Sequence, residues 1–336
     1  MRIGLLGHSY HWGYHKHAAE IPGARIVAVA CGSPRESLSR FAETSTVPAD
    51  AVRYDDARKM LDEAQLDLVQ VYTDFTEMGG WIREAAQRGI ATIAEKPLAF
   101  DLEELARTWD VVASTGTPFM AMQGTRGRAA FEAAREAVRD GKVGTPYNSY
   151  HQKSYRWNAR PETWNDRKTF PGFIPWVGIH AFAWMHWVLG EVFTEVAGWD
   201  GYEAHPEVPG CATQAGVVFR QTHGGVALVS MDYLRPKAAP THGDERMRVA
   251  GSTGVVEVFA VEDRCVLIES ERGPREIRPS APVQDPYVRF ALSVRGEAEA
   301  PVRPWECFRV TELALKAQQA ADTGKSVPLT PTAYRD

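Results

Sequence analysis

The chain has 336 residues, 44% of them hydrophobic, enough for two cores rather than one. Its formal net charge of -5, with no basic block, speaks against a nucleic-acid partner. No apolar run is long enough to span a bilayer, the first seven residues read as a strand rather than a leader, and four scattered cysteines (Cys31, Cys211, Cys265, Cys307) suit reduced thiols, so a cytoplasmic protein is expected.

The first third alternates short apolar runs at 2–7, 25–31, 67–72 and 91–94 with helix-like segments near 13–21, 34–42, 56–65, 78–88 and 102–114. Such alternation predicts βαβ units and a parallel sheet covered on both faces. A strand at 118–122 and a helix near 128–139 follow, and Asp140-Gly141-Lys142-Val143-Gly144 stops that helix. Beyond it, 145–155 alternates like a strand, 157–173 reads as an aromatic, basic loop, and 176–189 has helical spacing. Alternating runs at 195–199, 212–220, 225–233, 246–249, 255–260 and 266–268 predict a large, mainly antiparallel sheet. Two helices, near 286–294 and 305–323, close the pattern.

Between the first strand and first helix lies Gly7-His8-Ser9-Tyr10-His11-Trp12-Gly13. A dinucleotide turn needs close backbone approach to a pyrophosphate and a helix N-terminus aimed at it. Only Gly7 meets the usual glycine spacing; Ser9 and Trp12 hold the other two positions. An ordinary βα turn of another doubly wound fold fits this segment equally. At the end of the second strand, where a carboxylate would accept from ribose hydroxyls, stands Cys31, followed by Ser33 and Arg35. Those two residues suit a phosphate and favour NADP over NAD, although Glu36 is adjacent and Arg35 has a surface reading. His8, His11, His15 and His17 lack a carboxylate or thiolate companion, so no metal is expected.

The run 91–94 leads into Glu95-Lys96-Pro97, which puts a lysine at the carboxyl end of a parallel strand, where such sheets bind ligands. With this motif come Gly7 and His15, Asp67-Leu68-Val69-Gln70-Val71-Tyr72-Thr73, Gly89, Asp140-Gly141-Lys142-Val143-Gly144 and Gly178-Ile179-His180 before Val188-Leu189-Gly190. In this ordered set the chain resembles the glucose–fructose oxidoreductase, inositol dehydrogenase and rhizopine-catabolism (Gfo/Idh/MocA) family over nearly its whole length. The resemblance implies an α/β Rossmann domain over 1–123 and an α+β domain with an open, mainly antiparallel sheet over 124–336. It also implies oxidation of a sugar or polyol hydroxyl with NAD(P), and a homodimer or homotetramer paired through the second sheet.

By the same resemblance Lys96 and His180 are the catalytic pair. The cofactor is expected on Gly7, Ser9, Tyr10, His11, Trp12, Cys31, Ser33, Arg35, Thr73, Glu95 and Lys96. The family's aspartate four residues before the histidine is here Trp176, and the acidic residue three after it is Ala183. Thr73-Asp74-Phe75-Thr76-Glu77-Met78 also departs from the family's Thr-Pro-Asn-x-x-His. Trp176, His180, Trp184 and Trp187 share one helical face, a packing stripe in which His180 alone is singled out by the resemblance.

Six of the ten tryptophans fall between 157 and 199. Rings pack on the C–H faces of sugars, and Arg156, Arg160, Arg167 and Lys168 interleave with Trp157 and Trp164. Trp157, Arg156, Trp164, Trp176 and Arg126 are therefore the candidates for a carbohydrate substrate, polyhydroxylated or anionic; a solvated basic loop is the competing reading. Thr241-His242-Gly243-Asp244 reads as a hairpin turn. Two other activities stay open: glycoside cleavage through transient sugar oxidation with no net redox, and a non-catalytic nucleotide-binding regulator.

Overall fold

Six short runs rich in Val, Ile, Leu and Ala form a wholly parallel sheet in order β3-β2-β1-β4-β5-β6. In the computed structural model, which describes residues 1–330 and Tyr334, these strands are β1 (Arg2–Leu6), β2 (Arg25–Ala30), β3 (Val52–Tyr54), β4 (Leu68–Val71), β5 (Ala91–Ala94) and β6 (Phe119–Ala121). β4, β5 and β6 are buried at every residue, as a sheet covered on both faces requires. Strand order reverses about β1, so right-handed crossovers send the connections to opposite faces. The carboxyl ends of β1 and β4 thereby form a switch point, where open α/β sheets bind ligands.

The connecting helices are α1 (Leu38–Ala42), α2 (Ala57–Glu63), α3 (Phe75–Gln87) and α4 (Leu102–Thr115). Asp56 and Asp101 cap α2 and α4 by accepting the N–H groups of Arg58 and Glu104, and Gly116 in the left-handed region ends α4. Two expected helices change. The segment after β1 is a 3-10 run, Trp12–Glu20. The Trp12 carbonyl, first in line for an α-helical ladder, already accepts from His15 Nδ1 at 2.8 Å and Gln70 Nε2 at 2.7 Å. The helix expected from 34 starts only at Leu38, because Ser33 and Glu36 are engaged in turn hydrogen bonds.

The chain divides into two compact units. The first comprises Met1–Met122 and Gln284–Thr311, with Tyr334. Its late segment contributes α7 (Pro286–Val294) and the start of α8 (Pro304–Thr323). Tyr287 meets Tyr14 edge-on at 5.5 Å, and the Ala121 N–H donates to Cys307 Sγ at 3.3 Å.

The second unit comprises Gln123–Val283 and, among the described residues, 312–330. Its nine-stranded sheet has the order β14-β13-β12-β11-β7-β10-β9-β8-β15. The strands are β7 (Pro146–Arg156), β8 (Phe193–Gly201), β9 (Gln214–Gln221), β10 (Val226–Arg235), β11 (Gly243–Gly251), β12 (Gly254–Phe259), β13 (Arg264–Glu269), β14 (Arg272–Ile277) and β15 (Val327–Pro328). Only β7 and β10 run parallel. β7 separates β10 from β11, so Thr241–Asp244 is not a hairpin turn: Gly243 and Asp244 open β11, and the connection crosses β7. β3, β14 and β15 were not expected; they are short or exposed, with no apolar alternation to reveal them.

Helices α5 (Ala129–Arg139) and α6 (Ile179–Leu189) cover one face of this sheet, against β12, β13 and β7. The opposite face keeps a cross-strand row of Ala197, Val218, Leu228, Tyr150, Arg248 and Glu257, in which Leu228 and Tyr150 are exposed. No helix among the described residues is long and apolar enough to cross a membrane.

Under α6, His151 of β7 is wholly buried; its Nδ1 accepts from Trp184 Nε1 at 3.1 Å and its Nε2 lies 3.0 Å from Ser149 Oγ. Burial pushes its pKa down to about 3. The folded protein therefore keeps this ring neutral, whereas the unfolded chain protonates it below about 6.5. Between those values the unfolded state binds the extra proton, so stability falls as pH drops. Denaturant titrations at about pH 7 and about pH 5 should show a loss about 2 kcal/mol larger for the wild type than for His151→Asn.

Candidate functional site

In the first unit four strand ends converge, those of β1, β2, β4 and β5. Gly7 leaves β1 with φ +84°, a conformation that a side chain resists. A Cβ there would also press on the Tyr72 carbonyl. The Gly7 N–H donates to the Ala30 carbonyl at 2.8 Å, and that of Ser9 to the Tyr72 carbonyl at 2.9 Å, which lays the turn across β2 and β4. Gly32 supplies a second close approach: a Cβ there would meet Leu6 at 2.6 Å and Thr73 Oγ1 at 2.7 Å.

Two carboxylates of the chain grip this turn. Glu95, fully buried after β5, accepts the His11 backbone N–H at 2.9 Å, lies 3.0 Å from His11 Nδ1, and accepts the Lys96 N–H at 2.9 Å. Burial pushes its pKa up, but the charge and hydrogen bonds of His11 and the Lys96 ammonium outweigh this and hold it below the usual carboxylate range. Lys96 is itself buried, and the Lys96–Pro97 bond is cis.

Glu36 is the second. Its Oε1 accepts from the His8 N–H at 3.1 Å and Ser9 Oγ at 2.7 Å; its Oε2 accepts from the N–H groups of Gly32 at 2.7 Å and Ser33 at 3.2 Å, and from Thr73 Oγ1 at 3.4 Å. The turn of β1 and the end of β2 thus present a nest of donors around an anion. Glu36, held at the end of β2, is an acceptor of the kind that the ribose hydroxyls of a dinucleotide require. In the sequence Glu36 counted only as a neighbour that weakens the phosphate reading of Ser33 and Arg35, because acid was sought at Cys31; the signal for its larger part was a carboxylate five residues on, with Gly32 between to let it fold back.

The other candidates of this unit are placed as follows. The Cys31 thiol is pushed up to about 11 by burial and by Glu36, so it stays protonated near neutral pH. Ser33 Oγ accepts the Arg35 N–H at 3.3 Å, and the Arg35 guanidinium lies 3.7 Å from Asp74. Tyr10, at φ +52°, stacks on Phe75 with centroids 4.3 Å apart. Trp12 stacks on His15 at 4.8 Å and meets Phe41 edge-on at 5.8 Å, so its ring is packing. Thr73 is buried beneath Glu36.

In the second unit His180 lies in the first turn of α6, directly after a π-helical turn at Ile174–Gly178. Such turns are frequent at functional sites. Trp176, buried in that turn, meets Trp164 edge-on at 5.3 Å, and Trp164 stacks on Phe170 at 4.4 Å. Trp157 stacks on His205 at 4.0 Å and meets Tyr233 edge-on at 5.3 Å. Arg160 lies over the rings of Tyr233, Trp164 and Trp157, at 4.3, 5.1 and 5.5 Å. The structure thus gathers Trp157, Arg160, Trp164 and Trp176 about Tyr233, which sequence reasoning did not single out. Arg126 is elsewhere: it lies over Trp187 at 5.2 Å, with Arg135 also over that ring at 5.0 Å. Arg167 pairs with Asp322 at 3.1 Å.

Comparison with known proteins adds to this geometry. Residues 1–123 match the family described as "Oxidoreductase family, NAD-binding Rossmann fold", and residues 131–257 match "GFO/IDH/MocA C-terminal domain". A solved oxidoreductase of Thermotoga maritima is 34% identical, with a TM-score of 0.89 over 98% of this chain and 100% of that one. D-apiose dehydrogenase of Paraburkholderia graminis is 25% identical over 83% of this chain and 72% of its own. Inositol 2-dehydrogenase of Rhizobium meliloti is 26% identical over 89% of this chain and 87% of its own.

Gly7→Ala tests the turn. Positive φ and the Tyr72 carbonyl together should cost about 1–3 kcal/mol of stability, read by denaturant titration.

Proposed function

Because the chain belongs to the GFO/IDH/MocA family of oxidoreductases, with its NAD-binding Rossmann fold, we propose that it is a sugar or polyol dehydrogenase. It moves a hydride between a nicotinamide dinucleotide and a hydroxyl-bearing carbon. The relatives named as apiose and inositol dehydrogenases support that substrate class. The observation that carries the reading is Lys96, buried at the carboxyl end of β5 beside the carboxylate that fixes the β1 turn.

A nicotinamide dinucleotide, when held at the strand ends of the first unit, would supply the hydride chemistry. The chain does the rest. The turn after β1, fixed by Glu36 and Glu95, lies at the strand ends where such a sheet binds the dinucleotide. Lys96 orients the substrate oxygen and stabilises its developing negative charge. His180 accepts the hydroxyl proton on an imidazole nitrogen. With Trp176 and Ala183 at the family's acidic positions, His180 works without a carboxylate from its own helix.

We assign NAD rather than NADP. Of the two residues that favoured a phosphate in the sequence, Ser33 accepts the Arg35 backbone N–H on its Oγ, and the Arg35 guanidinium lies near Asp74. Glu36 stands at that place instead, suited to accept from ribose hydroxyls and to repel a 2′-phosphate. The open face of the nine-stranded sheet, with Leu228, Tyr150 and Trp199 exposed, supports self-association into a dimer or tetramer. Cytoplasmic residence completes the reading.

Lys96→Ala should lower kcat for NAD+ reduction about a hundredfold or more while dinucleotide affinity stays near normal. Steady-state assays on a polyol panel test this, and unchanged turnover would remove Lys96 from the mechanism. His180→Ala should lower kcat by a similar factor and flatten its pH profile; a profile identical to wild type would dismiss His180.

A further inference from the structure

One peptide unit at the end of β2 is held from both sides. The indole Nε1 of Trp81, on α3, donates to the Gly32 carbonyl at 2.6 Å. The N–H groups of Gly32 and Ser33 donate to Glu36 Oε2, at 2.7 and 3.2 Å. The Gly32 carbonyl and the Ser33 N–H belong to the same peptide unit, and in a trans peptide they point in opposite directions. Trp81 therefore holds one end of a peptide plane whose other end holds Glu36. The indole is itself braced: Arg58 of α2 lies over its ring at 5.4 Å, and Arg58 Nε donates to Glu84 at 3.1 Å.

Position 32 cannot stiffen this peptide by itself. A Cβ there would meet Leu6 at 2.6 Å and Thr73 Oγ1 at 2.7 Å, so only glycine fits, and glycine leaves the backbone beside it free to turn. Hydrogen bonds rather than side-chain sterics must then set the plane of the peptide that follows. Gly32 and Ser33 are both buried, so water is a poor substitute for a lost donor at the Gly32 carbonyl. Donation to that carbonyl also polarises the peptide, which strengthens the Ser33 N–H as a donor to the carboxylate. If the plane rotated, the Ser33 N–H would leave Glu36 and the carbonyl oxygen would approach it, acceptor against acceptor.

We infer that Trp81 is a positioning residue for dinucleotide selection: by fixing the Gly32–Ser33 peptide it keeps Glu36 at the end of β2, where a ribose hydroxyl is accepted and a 2′-phosphate is repelled. Its part is indirect, since the indole acts on one peptide and the peptide on one carboxylate. What Glu36 recognises rests on the NAD reading; the hold on the peptide does not.

Calorimetric titration of the full chain with NADH and with NADPH compares wild type, Trp81→Phe, Trp81→His and Glu36→Gln. Trp81→Phe keeps an aromatic ring and loses the N–H, whereas Trp81→His retains a ring N–H. Trp81→Phe should weaken NADH about fivefold or more and shift the preference toward NADPH by a similar factor, and Trp81→His should recover part of both. Labelling of Cys31 by a thiol reagent reads the same peptide with no nucleotide present. Cys31 adjoins Gly32, the other three cysteines are buried, and burial and Glu36 push its thiol up to about 11. As Glu36 loosens in Trp81→Phe, labelling of Cys31 should quicken about fivefold or more, and less so in Trp81→His. Wild-type labelling in Trp81→Phe would overturn the proposal, as would a preference unmoved by Trp81→Phe when Glu36→Gln moves it. Equal effects of the two Trp81 variants would also overturn it, because the size of the ring and not its N–H would then be at work. Faster labelling in Trp81→Phe, in a protein whose preference Glu36→Gln leaves unchanged, would sustain the hold on the peptide and remove the NAD reading of Glu36.

Discussion

A carboxylate with no access to water fixes the first unit. Glu95 is charged and fully buried, so it must be satisfied by hydrogen bonds, and it finds them on His11 and Lys96. That requirement ties the turn after β1 to the end of β5. Lys96 is thereby held at the strand end beside the turn. Glu36 imposes the same order between the β1 turn and the end of β2. Where a glycine-rich turn relies on an open backbone, this one relies on two side-chain anions, and it tolerates Ser9 and Trp12 for that reason.

In the second unit the organising element is β7. It pairs parallel to β10 and antiparallel to β11, and it carries His151, Lys153 and Arg156. Its inward residues lie under α6, where Trp184 reaches His151. Its last residue reaches the aromatic cluster around Tyr233 through the loop that holds Trp157 and Arg160. One strand therefore links the packed face of the sheet to the group of rings and cations, while the other face of the sheet stays open.

What the sequence disclosed follows from what makes a pattern. β1, β2, β4 and β5 are apolar runs bounded by polar residues, and α3 and α4 have clear amphipathic spacing, so the doubly wound sheet was legible. β14 is charged and exposed and carries no alternation, so it was not. The 3-10 run at Trp12–Glu20 depends on side chains that claim the Trp12 carbonyl, one of them from β4 and far away in sequence. Thr241–Asp244 looked like a hairpin because sequence shows adjacency along the chain and not that β7 lies between β10 and β11. Glu36 was under-read and Tyr233 missed for a related reason: each acts by reach, across a turn or a sheet, rather than by position in a motif. Arg126 was over-read, since a cation near a domain junction in sequence turned out to stack on Trp187.

The account stands or falls on the nest of donors around Glu36. Calorimetric titration of the nucleotide-free protein with NADH and with NADPH addresses it directly. The account predicts that NADH binds about tenfold or more tightly than NADPH. Tighter binding of NADPH, or no binding of either by folded protein, would contradict it.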